Sequence, residues 1–121
     1  MNAETDPARL QWLTDCEALR HLPQRYARAV DFRDNDALTA LFDPTGNVSG
    51  MRGEAAVPDY LAGLRDMPKT FESSMHAMGE PMIDLAIGAD QGTTDTYAVV
   101  YQVGSLTGGA NMTLGMRYVD Q

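Results

Sequence analysis

The sequence predicts an α+β fold in which a curved, cone-shaped antiparallel or mixed sheet wraps around N-terminal helices. Three observations carry this. Apolar residues recur every three or four positions from Leu10 to Val30, the ladder of a helix facing a core. From Thr70 onward the period falls to two, as in strands with unlike faces. Glycines at Gly79 and Gly88 interrupt those strands, and curvature needs such bends. Helices followed by antiparallel strands pack as two layers, with a concave pocket between them.

In chain order, Met1 to Asp6 reads as a frayed tail. Pro7 suits a first helical position, and Leu10, Leu13, Cys16, Leu19, Leu22, Tyr26 and Val30 form the core-facing ladder. Pro23 leaves two options: a helix kinked there, or a second helix opened by it and reaching to about Phe32. Asp34 or Asn35 caps a short helix with Ala37, Leu38, Leu41 and Phe42 on one face. Asp43 to Asn47 is turn chemistry and Val48 to Met51 a short strand. Gly53 to Met67 reads as a helix with Val57, Tyr60, Leu61 and Leu64 on one side, ended by Met67 and Pro68.

In the period-two region, Phe71, Ser73, Met75 and Ala77 point one way and Glu72, Ser74, His76 and Met78 the other. After a bend at Gly79 to Pro81, Ile83, Leu85 and Ile87 alternate with Met82, Asp84 and Ala86. Thr93 to Val103 is the strongest strand. It is apolar on both sides, which predicts a central strand covered on both faces. A connection from Gly104 to Ala110 leads to a last strand, Asn111 to Val119.

The 121 residues make one domain, 1–121, of ordinary globular composition. Nine basic residues against seventeen acidic give a formal charge of −8, a poor match for a phosphate backbone, so nucleic acid is not expected as a partner. Cys16 is the only cysteine; it allows no intrachain disulfide, and no spacing suggests zinc. No apolar run is long enough for a membrane span and no signal peptide is legible. A cytoplasmic protein without membrane partners is the expectation.

The run RYARAVDFRDNDALTALF, Arg25 to Phe42, organises the rest. Tyr26 lies on the core stripe and Asp31 just beside it, so the carboxylate can look into whatever the helix covers. This run resembles the first signature of the SnoaL-like branch of the nuclear-transport-factor-2-like superfamily. SSMHAMGEPMI, Ser73 to Ile83, resembles the second, a strand with a His shortly before a Gly, and DTYAVV, Asp95 to Val100, the strand that follows. The resemblance runs from about Leu19 to the C-terminus. It extends to the dehydratase-type members, which include scytalone dehydratase, bile-acid 7α-dehydratase and an HCl-eliminating dehydrochlorinase. It implies that His76 and Asp31 are a catalytic pair and Tyr26 the pocket tyrosine. It also implies a homo-oligomer, trimer over dimer, and no cofactor or metal. Members usually continue past a segment like Met116 to Asp120 into one more strand, so that strand is expected to be absent here.

If Asp31 meets His76, the carboxylate accepts from one ring nitrogen and leaves the other as a base near working pH. Tyr26 would donate to a developing enolate oxygen. The expected activity is a cofactor-independent lyase or isomerase acting next to a carbonyl of a small, hydrophobic, cyclic substrate. Other readings stand beside it. His76 could be an ordinary strand residue, Tyr26 plain core, and Asp31 could pair with Arg28 or Arg33. The chain could be a non-catalytic ligand-binding or partner-subunit module. An epoxide-opening hydrolase would need paired carboxylates and an Arg that find no match. A metal site from His21, His76 and Asp31 has no spacing signature.

Overall fold

The computed structural model describes residues 6–66, 71–104 and 109–121. Helix α1 spans Pro7–Asp31 and α2 Asn35–Thr39. The strands β1 (Asn47–Gly50) and β2 (Gly53–Ala56) precede α3 (Val57–Asp66). Then follow β3 (Ser73–Met78), β4 (Met82–Asp84), β5 (Thr93–Val103) and β6 (Met112–Asp120). Among the described residues no helix is long and apolar enough to cross a membrane.

Helix α1 begins at Asp6, whose carboxylate accepts from the Ala8 N–H, so this residue caps the helix rather than belonging to a tail. The helix runs through Pro23 without ending. Pro23 is buried, and its packing offsets the backbone hydrogen bond that its ring nitrogen cannot make. The core ladder is shorter than its sequence pattern. Leu10 and Leu13 are 54% and 50% exposed, because this end of α1 is held instead by Trp12, whose indole N–H donates to the Leu85 carbonyl at 2.7 Å. The buried cluster lies at the other end: Ala29, Leu38, Val57 and Leu61, with Tyr26, Phe42 and Tyr60 packed against it.

The segment from Gly53 to Ala56, expected as the start of a helix, is a strand. It pairs with β1 in a hairpin whose register closes on Gly50 opposite Gly53. Gly53 has φ 94°, a conformation costly for any residue with a Cβ; the turn therefore outranks the helical spacing, which holds only from Val57. The end expected at Met67 and Pro68 lies outside the described residues.

The main sheet centres on β5. Strand β6 pairs along one edge, from Thr94 opposite Asp120 to Gln102 opposite Met112. On the other edge, β3 pairs with Ala98 to Val103 and β4 with Thr93 to Asp95. The break between β3 and β4 is the expected bend. Gly79 donates to the Tyr97 carbonyl at 2.7 Å, and a Cβ on it would stand 2.9 Å from that oxygen. Strand β4 stops at Asp84, short of the expected alternation through Ile87. The β1–β2 hairpin and the main sheet are separate, so the sheet is curved without closing.

All three helices precede this sheet or pack on one side of it, and the expectation that β5 is covered on both faces is corrected. Its inward residues Thr94, Thr96, Ala98, Val100 and Gln102 are buried, whereas Tyr97 on the outer face is 66% exposed, and Val99, Tyr101 and Val103 are also exposed. The inward rows are what position the site. Ser74 faces Gln102 across the sheet, His76 faces Val100, and beyond it Val100 faces Leu114. Side chains two apart on β3 share a face, so Ser74 and His76 both look toward the end of α1.

Candidate active site

Asp31 is the last residue of α1. The chain leaves the helix through a Schellman turn: Asp34 N–H bonds the Ala29 carbonyl at 2.9 Å and Arg33 N–H the Val30 carbonyl at 3.1 Å. Arg33 occupies the left-handed position of that turn, φ 56°, where glycine is usual. A side chain there costs on the order of 1 kcal/mol. What Arg33 does in return is visible: its guanidinium donates to the Phe71 and Glu72 carbonyls, tying the start of β3 to the end of α1.

That tie brings the Asp31 carboxylate onto β3. Oδ1 accepts from the Ser74 hydroxyl at 2.8 Å and from His76 Nδ1 at 2.7 Å, and Oδ2 accepts from the His76 backbone N–H at 2.8 Å. Charge-assisted bonds of this kind are stronger than neutral ones. The His76 side chain is 6% exposed and that of Asp31 16%, so water competes little. A carboxylate can only accept, which puts the ring hydrogen on Nδ1. Among the described residues Nε2 has no hydrogen-bond partner. Asp31 pairs with neither Arg28, which lies over the Phe32 ring at 5.0 Å, nor Arg33.

Tyr26 stands edge-on to the His76 ring, centroids 5.9 Å apart at 86°. The three residues singled out in the sequence are therefore brought together. Three more that the sequence reading did not assign to the site join them. Tyr26 and Tyr60 share a hydrogen bond between hydroxyls at 2.9 Å. Tyr118 of β6 lies 5.7 Å from Tyr26, and Ser74 holds Asp31. Ser74 was detectable, two positions before His76 on the same strand face. Tyr60 and Tyr118 were not, because they come from α3 and β6 and carry no local signal. Burial holds the Tyr26 phenol far above its ordinary range, with Tyr60 reinforcing it. Tyr60 is raised by burial, and Tyr118 is pushed up to about 12 by burial and then by Tyr60. These phenols are thus neutral donors at working pH. In the bonded pair one hydroxyl donates to the other, and Tyr118 also interacts with Tyr26 through its hydroxyl.

His21 takes no part: it bonds Glu17 at 2.8 Å on the exposed side of α1. Among the described residues no group of three or more His, Cys, Asp or Glu side chains could hold a metal ion. Two concavities among the described residues bear on the site. One, of about 230 Å³, lies beside Trp12 and Ala86, and a smaller one lies beside Ser74 and Arg33. Neither is lined by Tyr26, Asp31 or His76.

The profile of the SnoaL-like domain matches residues 11–121. The chain belongs to the SnoaL-like domain family. The fold also recurs in solved structures. A scytalone-dehydratase-like protein from Novosphingobium aromaticivorans superposes with a TM-score of 0.77 at 19% identity, covering 89% of this chain and 72% of that one. A type 2 hexachlorocyclohexane dehydrochlorinase gives 0.80 at 14% identity, covering 93% and 76%. A protein of unknown function from Mycobacterium tuberculosis gives 0.72 at 18%, covering 98% and 67%. No curated protein matches the sequence. At these identities the likeness is one of fold, and this SnoaL-like chain shares its helix-and-sheet arrangement with proteins of more than one activity.

The tyrosine cluster gives the site a pH signature. An unfolded phenol ionises near 10.0 and Tyr118 in the fold near 12. Between these values the folded state binds more protons, so stability is fully present below pH 10 and falls as pH rises through about 12. Thermal unfolding across that window should show a falling Tm, with a shallower fall in Tyr118→Phe; identical slopes would remove Tyr118 from the effect.

Proposed function

We propose that this SnoaL-like protein is a cofactor-independent lyase or isomerase that moves a proton next to a carbonyl in a small, hydrophobic, cyclic substrate. The observation that carries this reading is the Asp31–His76 pair at 2.7 Å, with Nε2 unbonded among the described residues and Tyr26 against the ring. Nε2 removes the hydrogen from the carbon beside the carbonyl, and the C–H electrons move into an enolate. A phenolic hydrogen of the tyrosine cluster, turned from its neighbour to the substrate, bonds the enolate oxygen. In an elimination the enolate then expels the β-hydroxyl, which takes the proton from Nε2 and leaves as water, giving an enone. In an isomerisation the same proton returns to a different carbon. The neighbours named for dehydration and dehydrochlorination support an elimination, since both names describe loss of H–X.

A panel of cyclic β-hydroxy ketones tests this, with enone absorbance for elimination and loss of substrate α-hydrogen signal in D₂O for either reaction. Turnover should fall roughly 10²–10⁴-fold in His76→Ala. Asp31→Asn should also lose turnover, because an amide can donate to the ring and stabilise the wrong tautomer. Ligand binding with neither enone nor exchange would establish the alternative, a non-catalytic binding or partner-subunit module.

The same reading takes the outer sheet face as the contact with a second copy. Met75, Tyr97, Val99, Tyr101 and Val103 stand exposed there, more apolar side chains on one face than a monomer usually leaves uncovered. Arg117 and Asp95 beside them are bonded to each other, which leaves Asp84 at the edge of the face as an uncompensated charge among the described residues. Light scattering should give a multiple of the chain mass that Tyr101→Glu reduces; a monomeric parent protein would overturn this contact.

A further inference from the structure

We infer that the smaller cavity, between the end of α1, α2, the last turn of α3 and the start of β3, is a binding subsite for an oxyanion: a carboxylate or phosphate group of a small molecule. Its polar lining is Arg33, Asn35, Arg65, Ser73 and Ser74, over an apolar floor around Leu38. Among the described residues no acidic side chain lines it, although acidic residues outnumber basic ones almost two to one in the chain. Two guanidiniums line the cavity, while the Asp31 carboxylate behind Ser74 is taken up by its bonds to Ser74 and His76, and guanidinium geometry suits carboxylate and phosphate oxygens.

Neither arginine has used its donors up. Arg33 engages the Phe71 and Glu72 carbonyls through Nη2 alone, and Arg65 engages the Thr39 hydroxyl through Nη2 at 3.2 Å. Their other nitrogens have no partner among the described residues. Those same bonds pre-orient both side chains, so an arriving anion need not immobilise them. The cavity, about 60 Å³, has room for a few waters or for one such anionic group, and the rest of the ligand lies outside it. Ser74 belongs to this wall while its hydroxyl donates to Asp31, placing the subsite about 7 Å, one alternate strand position, from His76. Binding there needs only the arginines and does not depend on proton transfer by His76.

The test is thermal unfolding of the full chain with inorganic phosphate and, separately, benzoate, each against sodium chloride of equal ionic strength. A saturable rise in Tm of about a few degrees is expected from at least one anion. Arg65→Gln should reduce that rise several-fold. General salting-in or salting-out acts alike on parent and variant, so the difference between them is the readout. Arg33→Gly, which keeps the left-handed turn, serves as a second variant and should reduce the rise as well. Response to phosphate alone identifies a phosphate ligand and response to benzoate alone a carboxylate, and either supports the subsite. Chloride matching both anions, or an equal rise in the parent and both variants, would overturn it.

Discussion

One carboxylate joins the two layers of this protein. Asp31 ends α1 and takes three hydrogen bonds from β3: a hydroxyl, a backbone N–H and a ring nitrogen. Each is a modest contribution in water, but the acceptor is sheltered and the donors sit on a strand already fixed by β5. Removing the carboxylate would leave those donors without their acceptor in a half-buried setting. The Schellman turn and Arg33 act on the same joint from the other side, holding β3 at the distance at which Asp31 can reach it.

The environment around this joint is graded. Toward α2 and α3 it is apolar and aromatic, with Tyr26, Phe42 and Tyr60 in contact, and burial there keeps the phenols protonated. Toward the start of β3 it becomes positive, through Arg33 and Arg65. His76 thus lies between an aromatic, hydroxyl-bearing side and a cationic patch. The opposite face of the sheet carries mostly exposed apolar side chains together with the Asp95–Arg117 ion pair.

Much of this was legible in the sequence because it is written in local periods. The ladder ending at Tyr26 and Val30, the alternation from Ser73 to Met78 and the strand from Thr93 to Val103 each specify an element without reference to the rest. The Asp31–His76–Tyr26 grouping was legible only through the family resemblance, since forty-five positions separate Asp31 from His76 and periodicity says nothing about such pairs. What misled was decided by context. Leu10 and Leu13 continue a core pattern on a stretch of helix that has no core to meet. Gly53 to Ala56 fits a helical window until the left-handed glycine commits it to a hairpin. Val99 and Tyr101 look like residues covered on both faces, and the fold leaves one face open. Tyr60, Tyr118 and the pairing of Arg33 with Arg65 depend on tertiary approach and had no sequence signal.

The most direct measurement is the tautomer of His76 by ¹⁵N NMR of the imidazole. Hydrogen on Nδ1, retained in a downfield-shifted resonance, with none on Nε2, is the result expected if Asp31 orients the ring as a base. Loss of that state in Asp31→Asn would link it to the carboxylate. Hydrogen on Nε2, or a ring indifferent to Asp31→Asn, would contradict the central claim and leave Asp31 as a structural tie alone.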